Sequence, residues 1–374
     1  MIYRDFKDLK LSMLGFGTMR LPLKEDQSID EELVAEMTDY ALSHGINYID
    51  TAWPYMNNRS EAVMGRVLQK YPRDSYYLAT KYPGHMIAET YDPADIFERQ
   101  LKKCQTDYFD FYLLHNVYEN SIQVYKDPRW GIIDYFIEQK KQGRIRHLGF
   151  SCHGEPDVLK RFLDAYGKDM EFCQLQLNYL DWTFQHGKEK VELLRQWSIP
   201  VWVMEPLRGG KLARLQPEHE AALTALRPDE EIPAWAFRFL QSIPSVTVIL
   251  SGMSNQEQLE KNLATFAEDK PLSEAEMKTL MDIAARMLSR GTVPCTACHY
   301  CVSHCPMSLD IPRLLSLYNE HAYTGGGFIA PMALSALPAD KLPSACLQCR
   351  SCEQVCPQQI KISEVLADFS RKLG

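Results

Sequence analysis

Leu14-Gly15-Phe16-Gly17-Thr18-Met19-Arg20-Leu21 is the stretch on which the fold of this chain turns. It opens as a short apolar strand. A doubly wound sheet built around a dinucleotide would follow such a first strand with a Gly-x-Gly-x-x-Gly turn. Here the glycines stop at Gly17, and Thr18, Met19 and Arg20 follow. Working outward, seven more short apolar runs recur at 47–50, 76–80, 109–114, 145–150, 172–177, 201–204 and 247–250. Segments with apolar residues at helical spacing lie between them, among them 30–43, 92–104, 131–142, 156–165 and 256–267. Eight strand-helix units in about 250 residues have the size and rhythm of a (β/α)8 TIM barrel, so the expected class is α/β.

The chain is longer than such a barrel. Its 374 residues exceed one ordinary domain, and 45% hydrophobic with 24% charged residues is enough apolar material for a sizeable core. That balance excludes a disordered or fibrous chain. No apolar run approaches the ~18 residues that cross a bilayer, and Met1-Ile2-Tyr3-Arg4-Asp5 carries charge where a signal peptide needs apolar residues. The expectation is a cytoplasmic protein with no membrane partner. A net charge of −8 argues against nucleic acid as a partner. From Gly291 onward, six basic residues balance six acidic ones, and eight of the eleven cysteines fall in this tail. So abrupt a shift marks a boundary, with a barrel at 1–290 and a second domain at 291–374.

The tail carries Cys295-x2-Cys298-x2-Cys301-x3-Cys305-Pro306 and then Cys346-x2-Cys349-x2-Cys352-x3-Cys356-Pro357. In a reducing compartment such thiols do not persist as disulfides, which leaves metal ligation. Zinc is one alternative, although it normally takes two well-separated pairs of ligands. Three cysteines at three-residue spacing can instead wrap one cubane, with a fourth ligand from elsewhere. The pattern resembles bacterial-type ferredoxins with two [4Fe-4S] clusters. That resemblance implies exchanged fourth ligands: Cys356 joins Cys295, Cys298 and Cys301, and Cys305 joins Cys346, Cys349 and Cys352. Between the runs, 312–321 is apolar at helical spacing and Gly325-Gly326-Gly327 forces a turn, so the tail should be mainly helical and larger than a minimal ferredoxin. Cys104, Cys152 and Cys173 read as buried small apolar residues.

In a barrel of this kind chemistry sits at the carboxyl ends of the strands. Asp50 ends the second strand with Tyr55 in its loop, Lys81 ends the third and His115 the fourth. Each alone has a bland reading: a helix cap, solvated polar groups, a satisfied core histidine. Together they bring a carboxylate, a phenol, an ammonium and an imidazole to one face. Asp50-Thr51-Ala52-Trp53-Pro54-Tyr55 with Ser60-Glu61 resembles the signature of the aldo-keto reductases, and Lys81 and His115 match that family's other catalytic positions. The likeness covers almost the whole barrel, including the opening stretch, Gly149-Phe150-Ser151, Gln174 and Met204-Glu205-Pro206-Leu207-Arg208-Gly209-Gly210. With the tail, the chain resembles the subgroup that carries a C-terminal ferredoxin-like domain.

The resemblance implies a nicotinamide-dependent oxidoreductase that reduces a small aldehyde or ketone, or oxidises the alcohol. Tyr55 would donate the proton, Lys81 would favour its phenolate, Asp50 would hold Lys81, and His115 would orient the carbonyl. NAD(P)(H) would lie extended across the mouth, against Gly17, Thr18, Met19 and Asp50. Ser151, Cys152 and Gln174 would meet the carboxamide, and Met204 the nicotinamide face. Leu207, Arg208, Gly210 and Lys211 would take the pyrophosphate, and Gly252, Met253, Gln258 and Asn262 the adenosine end. Three positions depart from the family: Cys152 stands for an Asn, Met204 for an aromatic ring, and Gly252 with Gln258 for the Lys and Arg of NADP-preferring members. Lys261 is a partial substitute. Trp53, Tyr82 and Trp182 read as pocket walls or packing, and Arg20 as a contact for an anionic substrate or a surface carboxylate.

A second reading is an electron-transfer or redox-sensing protein whose barrel has been repurposed to dock a partner or another cofactor. A nicotinamide gives two electrons as a hydride and a cluster passes one, so direct coupling would call for a flavin. The chain shows no flavin motif. A redox partner protein would be the other route.

Overall fold

Each of the eight apolar runs in the first 280 residues is a strand in the computed structural model, which describes residues 1–289, 291–295 and 297–373. The chain divides into two compact units, Met1–Leu280 and Met281–Gly374. The division falls inside the helix Glu274–Ser289, ahead of the composition break at 290.

The first unit opens with an antiparallel hairpin, β1 (Tyr3–Phe6) and β2 (Leu9–Ser12). The barrel follows: β3 (Leu14–Gly17), β4 (Tyr48–Asp50), β5 (Tyr77–Tyr82), β6 (Phe109–Val117), β7 (Ile145–Cys152), β8 (Cys173–Gln176), β9 (Val201–Met204) and β10 (Val246–Ser251). Neighbours in the chain are neighbours in space, all parallel, and β10 closes on β3 through Ile249 opposite Leu14. Both faces of such strands are covered, which is why they read as continuous apolar runs rather than alternating ones. The barrel interior is aromatic at the amino ends of its strands, where Tyr48, Phe111, Phe172 and Trp202 form one cluster. The hairpin was not foreseen. It contributes Phe6 and Leu11 to that cluster, with the Phe6 ring 5.1 Å from Trp202, and so fills the end of the barrel opposite the catalytic candidates.

All five expected helical segments are helices, and their starts follow capping chemistry. Asp92 accepts from the Asp95 N–H at 2.9 Å ahead of Pro93–Cys104, and Asn255 accepts from the Gln258 N–H at 2.9 Å ahead of Gln256–Thr265. The helix Ile232–Gln241 escaped the sequence reading because eight of its ten residues are buried and no polar face marks its period. No described helix is long and apolar enough to cross a membrane.

A buried polar brace sits behind the mouth. Glu61, fully buried on the helix Ser60–Leu68, accepts from Thr80 Oγ1 at 2.7 Å, Gln100 Nε2 at 2.6 Å and Lys103 Nζ at 3.2 Å. It thereby ties that helix to β5 and to Pro93–Cys104. The two helices touch backbone to backbone at Gly65, where a Cβ would lie 2.2 Å from the Lys103 carbonyl oxygen.

In the second unit Ile311–Thr324, Ile329–Leu334 and Ile362–Leu373 pack around Leu314, Leu315, Ala330, Leu366 and Phe369. Gly325 ends the first of these helices at φ 68°, a left-handed cap that glycine adopts without penalty. Cys301 and Cys352 are buried in the same core.

Candidate active site and cluster-binding loops

The carboxyl ends of β4, β5 and β6 bring Asp50, Lys81 and His115 to one mouth. Lys81 is fully buried, and its Nζ donates to Asp50 Oδ1 at 2.5 Å, to the Thr51 carbonyl at 2.9 Å and to Tyr55 Oη at 3.3 Å. Tyr55 opens a tight turn whose next residues, Met56, Asn57 and Asn58, all have φ between 52° and 63°. Three non-glycine residues in that region carry strain, and such strain persists only where the surroundings hold it. Ser60 is part of that hold, its Oγ within 2.7 Å of Thr18 Oγ1 and 2.9 Å of Thr51 Oγ1. The His115 ring meets Tyr55 edge-on at 6.0 Å between centroids.

Burial sets the protonation states. On Lys81 it favours the neutral amine, but Asp50 and Tyr55 together outweigh it and hold the proton more tightly than usual. Burial lifts the Tyr55 phenol above its ordinary value, and Lys81 only partly opposes this. The pull of Lys81 toward phenolate, expected from the sequence, is present but not dominant. His115 is pushed well below the usual imidazole range, first by burial and then by His85 and Lys81.

Other cofactor candidates line the same mouth. Thr18 Oγ1 donates to the Asp50 carbonyl at 2.9 Å. Gln174 Nε2 reaches Asp50 Oδ2 at 3.5 Å, while its Oε1 is buried without a partner, an orphan that a carboxamide N–H would satisfy. Ser151 Oγ accepts from the Asn116 N–H at 2.7 Å. Met204 ends β9 half-buried, two residues after Trp202 and therefore on its face. Cys152 is directed elsewhere: its thiol lies 3.9 Å from the Gly154 carbonyl, and burial lifts it to about 12. After β9, Gly209 and Gly210 turn the loop at φ 66° and 91° beside Leu207 and Lys211. Arg208 is buried, with Nε 2.9 Å from Asp181 Oδ1, so its side chain is committed to an ion pair.

At the far end, Met253 is buried, Gln258 Oε1 accepts from the Ser254 N–H at 2.8 Å, and Asn262 Nδ2 donates to Ser251 Oγ at 3.0 Å. Arg20 lies over Gly252 and Gly209 and pairs with Glu205 at 3.2 Å, which makes its partner here a surface carboxylate. Lys261 sits between Glu257 at 2.9 Å and Glu231 at 3.2 Å.

Each of the suggested aromatic walls has a packing neighbour. Trp53 lies under Lys103 Nζ at 3.7 Å from its centroid, Tyr82 is buried against Phe136, and Trp182 meets Phe239 edge-on at 5.6 Å. The sequence reading missed two histidines. His85 lies with its ring 4.4 Å from that of His115, and burial lowers it to about 4; His153, just past β7, is lowered to about 3, mainly by burial. Both stand in loops beyond the strand ends, and only His153, next to Ser151-Cys152, carried a positional signal.

The cysteine runs repeat as backbone. Ala297, His299 and Ser308 have φ of 50°, 63° and 49°, and Gln348, Arg350 and Gln359, each 51 positions on, have 55°, 60° and 52°. The thiols ring two hollows. One is lined by Cys346, Cys349 and Cys352 together with Cys305, and by Arg350. The other is lined by Cys295, Cys298 and Cys301 together with Cys356, and by His299. Among the described residues no three His, Cys, Asp or Glu side chains converge closely enough to hold a single ion.

Residues 13–285 match the pattern of the Aldo/keto reductase family, and residues 294–361 that of the 4Fe-4S dicluster domain. The chain is 26% identical over 305 residues to the oxidoreductase YqkF of Bacillus subtilis, covering 73% of this chain and 92% of that one. It is 25% identical over 328 residues to the NADH-specific methylglyoxal reductase of Escherichia coli, covering 76% and 97%. The aldo-keto reductase AKR11C1 from Bacillus halodurans, in its holo form, is similar in structure, with a TM-score of 0.60 at 28% identity over 76% of this chain and 96% of that one. With the barrel matched from its first strand to its last and the second pattern in the tail, the chain belongs to the aldo-keto reductase family and carries a C-terminal 4Fe-4S dicluster domain.

Proposed function

We propose that the barrel reduces a small aldehyde or ketone, or oxidises the corresponding alcohol, with a nicotinamide cofactor. The observation that carries this reading is the hydrogen-bonded group of buried Asp50 and Lys81 with half-buried Tyr55 beside His115. The nicotinamide, when bound, supplies the hydride. Gln174 and Ser151 would hold its carboxamide, and the Leu207–Lys211 loop its phosphates. Tyr55 Oη, which keeps its proton because it is buried, donates it to the carbonyl oxygen. As the phenolate forms, the Lys81 ammonium already bonded to Tyr55 Oη stabilises it, and Asp50 holds that ammonium in place and charged. His115, neutral and half-buried, orients the carbonyl oxygen by hydrogen bonding. The carbonyl carbon gains a hydride and its oxygen a proton, which gives the alcohol.

The name of the Escherichia coli relative supports both the substrate class and the use of NADH. Tyr55→Phe should lower carbonyl reduction ~10²-fold or more, the reach of general acid catalysis, and leave nicotinamide binding nearly unchanged. Retention of most of the activity would remove Tyr55 from this role.

In the tail we propose two [4Fe-4S] clusters with exchanged fourth ligands, one in each hollow. The fit rests on the linings, since each hollow is bounded by three thiols of one run and the fourth thiol of the other.

A further inference from the structure

Within the group at the barrel mouth, His115 is the member whose side chain no hydrogen bond holds. Asp50, Lys81 and Tyr55 are bonded to one another, whereas the His115 Nδ1 is buried without a partner and, among the described residues, no side chain hydrogen-bonds to the ring. Two rings stand against it instead. Tyr55 meets it at 6.0 Å between centroids with 80° between planes, and His85 at 4.4 Å with 66°. The nearer contact sets how the imidazole is turned.

His85 is placed for that contact by the same phenol that holds the backbone of His115. Tyr125 Oη, on the helix Ser121–Lys126, donates to the His115 carbonyl at 2.8 Å and lies 3.3 Å from the carbonyl of Tyr82, the last residue of β5. From there the chain turns at once. The Gly84 N–H donates to the Tyr82 carbonyl at 3.0 Å, and the Met86 N–H to the Pro83 carbonyl at 2.9 Å. Gly84 rests so closely on the Tyr125 ring that a Cβ would lie 2.7 Å from it, so a side chain there would push the loop, and His85 with it, away. The backbone of His115 and the loop of His85 are thus both referred to Tyr125. The His85 Nδ1 is likewise buried without a partner, and burial lowers the ring to about 4, so it brings packing and no charge to His115.

Resting on the reading of Tyr55, Lys81 and His115 above, we propose that His85 is a positioning residue for carbonyl reduction: its ring fixes the orientation of the His115 imidazole, so that a ring nitrogen is held toward the carbonyl oxygen beside Tyr55 Oη. The edges of an imidazole are not equivalent. A half turn of the ring puts carbon where the nitrogen stood, and the hydrogen bond that orients the carbonyl is lost. Small misplacements at a reacting centre cost up to ~10²-fold in rate.

The test is steady-state reduction of methylglyoxal with NADH by the full chain and by four variants: His85→Ala, His85→Phe, His115→Phe, and His85→Ala combined with His115→Phe. His85→Ala should lower kcat and kcat/KM together, by about tenfold, as expected when an interaction made in the transition state weakens. His85→Phe, which keeps a ring against His115 without a nitrogen, should restore most of that loss. His115→Phe should cost about 10²-fold, and adding His85→Ala to it should cost nothing further, because a residue that acts through His115 has no effect once His115 is gone. A further loss in the double variant equal to that of His85→Ala alone, full activity in His85→Ala, or failure of His85→Phe to restore it overturns the proposal and leaves the reading of the barrel in place. A His115→Phe variant as active as the wild type overturns the role of His115 on which the proposal stands, and the proposal with it.

Discussion

At the barrel mouth the protein completes its own electrostatics, whereas in the cysteine loops it leaves them to a ligand. Lys81 has three oxygen acceptors within 3.3 Å, and the carboxylate that balances it is as buried as it is. The eight thiols of the tail instead face two hollows, and Cys301 and Cys352 do so from within the hydrophobic core of that unit. The contrast separates two ways of building a site. One is preorganised by hydrogen bonds made on folding; the other makes the group it binds part of the core.

The sharpest break of that comparison is to remove the iron. Metal-site binding can supply on the order of 10 kcal/mol of folding free energy, comparable to the whole stability of a small domain. Chelation under oxidising conditions should therefore unfold the tail, seen as protease sensitivity after residue 290, while carbonyl reduction by the barrel survives. Within the tail, Cys305→Ala should disturb the cluster of Cys346, Cys349 and Cys352. Disturbance confined to the cluster of Cys295, Cys298 and Cys301, or the finding of zinc in place of iron, would falsify the exchanged arrangement.

The converse experiment is to break the pair inside the barrel. Lys81→Met leaves Asp50 as an unpaired buried charge, a change that costs about 3–5 kcal/mol, and it should also abolish most of the activity. Adding Asp50→Asn should recover much of the stability and none of the turnover. Urea titrations of the single and double variants distinguish this from a mouth held together by packing, in which the second substitution would lower stability further.

The barrel was legible because its evidence is local. Eight apolar runs had to be strands, and Asp50, Lys81 and His115 stand directly at strand ends, where parallel pairing fixes their common side. The hairpin was not legible, because Tyr3–Phe6 and Leu9–Ser12 form too short a pattern to be told from an irregular leader, and only the long-range packing of Phe6 explains them. His85 was missed for a related reason: it sits in a loop, and its nearness to His115 comes from the path of that loop rather than from any period. Arg208 was expected at the pyrophosphate, and the ion pair of its guanidinium with Asp181, 27 positions away, is a contact no local pattern announces. The tail's ligand grouping was readable from spacing only by way of the ferredoxin resemblance, because the fourth thiol of each run lies beside the other run only once the chain has folded.

A smaller effect separates burial from charge at Tyr55. Burial lifts the phenol above its ordinary value near ~10, and reduction needs the protonated form. The rate is therefore present at low and neutral pH and lost only as pH rises through that elevated pKa. His115, held well below the usual imidazole range, stays neutral across the same window. The pH profile of kcat/KM for reduction should be level from about pH 7 to about pH 9. A decline centred below that range would mean that Lys81, and not burial, governs the phenol.

The smallest expected effect lies at the adenosine end, where the mouth lacks the completeness it has around Lys81. A 2'-phosphate brings up to two negative charges, and each charge-assisted hydrogen bond to it is worth ~1.5–3 kcal/mol. Gly252 and Gln258 offer no cation, Arg20 over Gly252 is paired with Glu205, and Lys261 already lies between Glu257 and Glu231. Engaging the phosphate would mean giving up those carboxylates, so little of the term is left to gain. Dissociation constants for NADH and NADPH should therefore lie within about tenfold of each other. Gly252→Lys supplies what is missing: a Cβ there meets Arg20 carbons at 3.5 Å, ordinary contact, so the substitution fits without strain. That variant should tighten NADPH about tenfold and leave NADH unchanged, because only the phosphate distinguishes the two. A wild type that already prefers NADPH a hundredfold would place a cation at this end that none of Gly252, Gln258, Arg20 and Lys261 accounts for.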